Sequence, residues 1–282
     1  MDWNKTKTLF ILIFLVLDVF LFYQYYMKVT SSEYELLAES SFEDRMKENE
    51  ITYPTLPKQT SEEAYLSAKS HDFTKEEISS LKNQKSVEVI DQMMLTGRFT
   101  KMYIPGEEFD VESLNTFVRE NILYGDEYKF WDNIEEEGRL IYYQMVKDRV
   151  IYESKYSKLE LFYNQNGEIM YYEQTFLDNV EPFNEVGEIK SAIKTLEILY
   201  TNGFLPAKSQ ITNVELGYTN PGLLSASHVL TPTWRIVLNN ENVYVDAVKG
   251  DIIPMEDRLA EEEDMEDTEE IEEDTVKETI KE

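Results

Sequence analysis

The chain has 282 residues, a formal net charge of −29, 42 % hydrophobic and 29 % charged residues, and no cysteine. There is room for one large domain or two small lobes, with apolar material enough for a core. The acid excess repels duplex nucleic acid, which is bound through Lys and Arg on phosphates, and it opposes adhesion to anionic membrane surfaces. The lack of cysteine removes disulfides, thiolate metal sites and thiol nucleophiles.

Residues 1–8 are short and polar, with Lys5 and Lys7. Leu9 to Met27 follows as an apolar run with a single charge, close to the ~20 residues that cross a bilayer as a helix. Its far flank is Tyr23, Tyr25, Tyr26 and Met27. Those residues suit the headgroup level and lack the small-residue spacing of a cleavage site. An uncleaved anchor over 9–27 is therefore expected. Lysines before it and Glu33, Glu35 and Glu39 after it place the N-terminus in the cytoplasm and the bulk of the chain outside. Asp18 lies at the centre of the run, where a carboxylate costs about 2.5–3.5 kcal/mol on insertion scales. Its bland interpretation is a tolerated, protonated defect. Its sharper interpretation is a polar contact to a partner transmembrane helix, which selects partners more than it stabilises.

Residues 28–60 read as a juxtamembrane stalk, helix-prone from Ser32 to Glu50 and broken at Tyr53-Pro54-Thr55-Leu56-Pro57. Ser61 to Ser70 carries helix-start residues and is expected as a short helix. Another is expected over Thr74 to Leu81, capped by Thr74. Val87 to Tyr103 suggests a strand pair with Gly97 near the turn or at a bulge. Phe109 to Leu123 has apolar residues at helical spacing and closes at Gly125. Leu140–Val146 and Arg149–Tyr152 form one expected hairpin. Lys158–Tyr163 and Glu168–Thr175 form another around Asn164-Gln165-Asn166-Gly167, since Asn-Gly accepts the positive φ of tight turns. A helix is expected from about Glu188 to Tyr200, ended by Asn202-Gly203. Strands then follow at Gln210–Tyr218, Trp234–Leu238 and Val243–Ala247. Helix followed by strands occurs twice. The expected fold is α+β: a transmembrane helix, then an extracytoplasmic domain of two lobes (61–176 and 177–255), each an antiparallel sheet plus helix. Residues 256–282 hold about 15 acids and three bases and are expected as a disordered acidic tail.

Chemistry is sparse. His71 and His228 are the only histidines and have no metal-ligand spacing; no Gly-x-Ser-x-Gly elbow or phosphate loop is present. Glu107/Glu108 and Glu135/Glu136/Glu137 are adjacent in sequence and read as solvated loop ends rather than as a glycosidase pair. His228 reads as a packed or hydrogen-bonded histidine. The tyrosines at 142, 143, 152, 156, 163, 171 and 172 could form a carbohydrate or peptide platform, but sheets enrich aromatics in any case. No enzyme and no cofactor are expected.

Met1-Asp2-Trp3-Asn4-Lys5-Thr6-Lys7-Thr8 running into an apolar span with one polar residue resembles the start of the YycI (WalI) family. Thr231-Pro232-Thr233-Trp234-Arg235-Ile236-Val237, Val243-Tyr244-Val245-Asp246-Ala247 and Gly250-Asp251-Ile252-Ile253 resemble its closing strands, and also the strand pair of PepSY-type domains. The resemblance implies a regulatory membrane subunit of the YycFG (WalKR) two-component system. With its sister protein YycH (WalH), it would associate with the sensor histidine kinase YycG (WalK) that controls cell-wall metabolism. Transmembrane helices would take part in the contact. Family members often carry Asn where this chain has Asp18. An independent extracytoplasmic ligand-binding or PepSY-like inhibitory module is the alternative.

Overall fold

In the computed structural model the described residues are 3–57, 62–91, 93–103, 110–220 and 227–254. Helix α1 spans Trp3–Glu48. Strand β1 (Glu62–Ser70), helix α2 (Lys75–Ser80), strands β2 (Gln84–Ile90) and β3 (Met94–Tyr103) and helix α3 (Val111–Asn121) follow, then a 3-10 turn at Gly125–Glu127. Next come β4 (Tyr128–Ile134), β5 (Arg139–Val146), β6 (Arg149–Tyr152), β7 (Lys158–Tyr163), β8 (Ile169–Thr175) and β9 (Leu177–Glu188). Helix α4 (Ala192–Thr201) precedes β10 (Ile211–Thr219), β11 (His228–Leu238), β12 (Glu241–Asp246) and β13 (Ile252–Ile253).

The architecture is α+β and is dominated by a largely antiparallel sheet. Hydrogen-bonded neighbours run β13-β12-β11-β10-β6-β5-β7-β8-β3-β2, with β4 on β5 and β1 between β9 and β11. The β6–β10 step is parallel and short, pairing Ile151 with Tyr218 and Tyr152 with Thr219. Pairings therefore cross the expected boundary at residue 176, through β1 with β9 and β11 and through β6 with β10. Two helix-covered cores lie along this sheet. In one, Leu114, Phe117 and Val118 of α3 pack on Leu95, Leu140, Leu161 and Tyr172. In the other, Ala192, Leu196 and Leu199 of α4 pack on Val214, Trp234, Ile236 and Val245.

Local chemistry explains the element ends. Thr74 and Glu77 form a reciprocal capping box on α2, which satisfies backbone donors that a helix start leaves bare. Asp110 accepts from the Glu112 and Ser113 amides at the start of α3, and Ser191 accepts from the Lys194 amide at the start of α4. In the β7–β8 turn the Asn164 side chain accepts from the Asn166 and Glu168 amides, and Gly167 has φ 74°.

Three expectations are corrected, and two strands are added. The helix expected from Ser61 to Ser70 is replaced by a strand: Glu62–Ser70 is β1, in which Leu66 and Ala68 are buried while Ser67 and Lys69 are not. That period of two is a strand's, and pairing on both sides outweighs the helix propensity. Gly97 is neither turn nor bulge. It lies inside β3 opposite Tyr172, and a Cβ there would fall 2.2 Å from the Tyr172 ring, so glycine makes room for an aromatic laid across the strand. The second long helix begins at Ala192, not Glu188, because Glu188 still pairs with Glu62 in β9. The strands β4 and β9 were not anticipated. The tail after residue 255 lies outside the described residues, as does Pro105-Gly106.

Candidate functional site

Helix α1 carries the chain's most unusual surface. From Phe10 to Tyr26 its large apolar and aromatic side chains stand open, from 46 % exposed at Leu17 to 69 % at Phe22. Asp18 lies exposed midway along this run. The run is apolar on every side rather than along one stripe, a pattern found in buried or membrane-spanning helices. Among the described residues no helix is long and apolar enough to cross a membrane; the side chains of Leu9 and Met27, the ends of the expected span, lie outside them.

The other end of α1 is buried. The segment read as a stalk stays helical to Glu48, and Phe42 and Met46 are fully enclosed in the α4 core. The Phe42 ring meets Tyr200 edge-on at 5.8 Å. Arg45 lies over both rings, at 5.5 and 5.7 Å, and its guanidinium pairs with Glu197 at 3.1 Å. Lys194, followed by Arg45, holds the Glu197 carboxyl below the usual range against the opposing effect of burial. Asn49 donates to the Tyr200 hydroxyl at 3.1 Å. The Thr52 amide donates to the Ser209 carbonyl and the Ile211 amide to the Thr52 carbonyl, at 3.1 and 2.8 Å, so the chain leaves the helix by joining the edge of β10. Apolar packing carries this junction, because Arg45 is 43 % exposed at the side chain and exposed ion pairs add little.

Both histidines sit where β1 ends, and both are satisfied within the fold. His228 is buried, with Nε2 2.9 Å from Ser70 Oγ, Nδ1 3.0 Å from Asn220 Nδ2 and the Tyr156 ring at 4.4 Å. Burial lowers its proton affinity. The Asn220 amide donates to Nδ1, so the ring's hydrogen points from Nε2 to Ser70. A general base would need the reverse direction. This row resembles a nucleophile triad in spacing alone, and the structural reading of His228 holds. His71 bridges Asp178 and Glu77 at 2.8 and 3.1 Å, a constellation spread over more than a hundred residues that no local motif announces.

The remaining candidates resolve into structure. Tyr142, Tyr143, Tyr152 and Tyr172 are buried and serve the core rather than a binding platform. Tyr171 stacks on Phe162 at 4.4 Å under Arg98. Glu135 to Glu137 occupy the exposed β4–β5 turn, where Glu137 pairs with Arg139 at 2.6 Å. Glu107 and Glu108 lie outside the described residues. An open cleft of 860 Å³ lies beside α3, lined by Asp110, Glu112, Glu120 and Phe117 among others, with no convergent catalytic set.

Fold and site together define a class: a sheet-built accessory domain carried on a long N-terminal helix, with no assembled reaction centre among the described residues. The chain belongs to the YycI protein family, whose model matches residues 31–248. That bears out the family resemblance; the match takes in the closing strands as far as residue 248 and does not reach the N-terminal segment. YycI proteins are membrane-associated regulators in the YycFG two-component system rather than enzymes, and a regulatory accessory role follows for this chain. The crystal structure of an uncharacterized protein from Eubacterium rectale ATCC 33656 aligns with 73 % of this chain and 90 % of its own, at 9 % identity and a TM-score of 0.44. No curated protein matches.

Proposed function

We propose that this chain is a membrane-anchored accessory subunit that biases the sensor histidine kinase YycG (WalK), together with YycH (WalH), and thereby tunes cell-wall metabolism. The observation that supports it most is the continuity of α1: one helix joins an all-round apolar, exposed run to an end clamped in the α4 core. In this proposal residues 1–8 are cytoplasmic, 9–27 cross the membrane with Asp18 facing a partner helix, and 28–60 link to lobes 61–176 and 177–255 outside. A subunit of this kind regulates by making contacts that differ between the two signalling states of the kinase.

Two measurements test it. Protease added to intact protoplasts is expected to remove the folded domain; full protection of residues 30–282 would sink the topology. Affinity purification of the full chain from detergent-solubilised membranes is expected to recover YycG and YycH. A chain lacking residues 1–27, exported by a cleavable signal, is expected to recover much less of both. Equal recovery would move the contact to the outer domain.

A further inference from the structure

His71 follows the last residue of β1, and its amide donates to the Phe176 carbonyl at 2.8 Å, which fixes the ring between β9 and α2. Its side chain is 12 % exposed and is walled edge-on by Phe73, Tyr124 and Phe176 at 4.9, 5.3 and 5.8 Å. Nδ1 faces Asp178 Oδ2 at 2.8 Å, and Nε2 faces Glu77 Oε1 at 3.1 Å. Ionised carboxylates only accept hydrogen bonds, so both contacts are bonds only when both ring nitrogens carry hydrogen. The pair of contacts therefore describes an imidazolium. A neutral ring that keeps Nδ1–H on Asp178 sets a bare Nε2 lone pair against the Glu77 oxygen.

The structure also holds the alternative donor. The Tyr124 hydroxyl donates to Glu77 Oε1 and lies 3.4 Å from His71 Nε2. Turning onto the neutral ring, it leaves Glu77, which then keeps only its own capping contacts with Thr74. Helix α2 itself has six residues, none of them buried; Ile78 and the capping Leu81 pack partly against the core, and Phe73 ahead of the helix is buried in it.

We propose that His71 is a proton-dependent latch that clamps α2 to the sheet when its ring is charged and releases it as the ring loses its proton. The groups facing the ring are Asp178 from β9, Glu77 from α2 and Tyr124 from the segment after α3, with Asp72 exposed beside it in the chain. Burial alone would raise the Glu77 carboxyl, but hydrogen bonds from Tyr124 and Thr74 and the positive charge of His71 hold it at about 2. Burial, the bond to Glu77 and the charges of Glu77, Asp178 and Glu127 push Tyr124 up to about 12. Between those two limits Glu77 stays ionised and Tyr124 stays protonated, so the ring is the moving part. The clamp is tightest when the ring carries both hydrogens and loosens as it loses one.

The test uses the full chain in detergent micelles with ¹⁵N-labelled histidine; loss of one signal set in His71→Gln assigns the ring. Along a pH series His71 is expected to show two protonated nitrogens at the acid end and one at the alkaline end. Amide exchange over residues 75–81, corrected for its intrinsic pH dependence, is expected to rise about ten- to a hundredfold across that range, the worth of one charge-assisted hydrogen bond. In His71→Gln the exchange is expected to be fast at both ends. Tyr124→Phe leaves the ring wall in place and is expected to retain the pH dependence, which separates the latch from general unfolding. A single neutral tautomer throughout, or corrected exchange in the wild-type chain that does not change with pH, overturns the proposal.

Discussion

Phe42→Ala is expected to lower the unfolding free energy of the folded domain by about 3–5 kcal/mol, the usual cost of emptying a phenylalanine site in a core. The side chain is fully buried, meets Tyr200 edge-on at 5.8 Å and lies under Arg45. Removing it takes away the transfer energy of the ring, leaves a cavity in the α4 core beside Tyr200, and loses an aromatic pair worth about 0.5–1.5 kcal/mol. A residue on a solvated stalk would cost within about 0.5 kcal/mol, so the experiment decides whether the end of α1 belongs to the domain. Urea unfolding of the full chain in micelles, followed by tryptophan fluorescence, reads it through buried Trp234. A lower midpoint at unchanged slope is the expected result; a midpoint equal to wild type contradicts the docked junction.

Asp18→Leu separates tether from interface. As a tether, the helix inserts more easily without its costliest residue and signalling is unaffected. As an interface, it loses a hydrogen-bonding group where water cannot substitute, which weakens association by about 1–2 kcal/mol, or about five- to thirtyfold. The expected outcome is equal or greater membrane abundance, reduced recovery of YycG and YycH, and altered output of a kinase-dependent reporter. Asp18→Asn is expected to keep most of the function, since an amide also donates and accepts. Wild-type recovery and reporter output in Asp18→Leu would transfer the regulatory contact to the outer domain.

What could be read in advance was what is local. The Asn164–Gly167 turn, the Thr74 cap and the heptad-like spacing of Leu114, Phe117 and Val118 each declare themselves within a few residues. β1 does not. Glu62, Glu63, Ala64 and Ala68 favour a helix in isolation, and only partners more than a hundred residues away, in β9 and β11, make a strand of them. β9 hides for another reason: it contains Pro182 and four acids, which suits an edge strand whose one partner is β1. At the candidate site the exposed apolar run and Asp18 were legible from hydropathy. The burial of Phe42 and Met46 was not, because a helix docked at one end and bare at the other shows no single amphipathic period. The His71 constellation was illegible for the same reason as β1, since its members meet only after the sheet has formed.

The unbroken α1 also sets a scale of motion. From Trp3 to the docked Phe42 the helix runs roughly 60 Å at about 1.5 Å per residue. If it stays straight, a rotation of about 3° at the docked end swings the far end by about 3 Å, comparable with the ≈ 1–2 Å helix shifts that switch subunit interfaces. In the proposed topology, that gives the outer domain leverage over the cytoplasmic face. A displacement too small to break any contact in the α4 core is magnified into one large enough to repack side chains at the other end of the same helix.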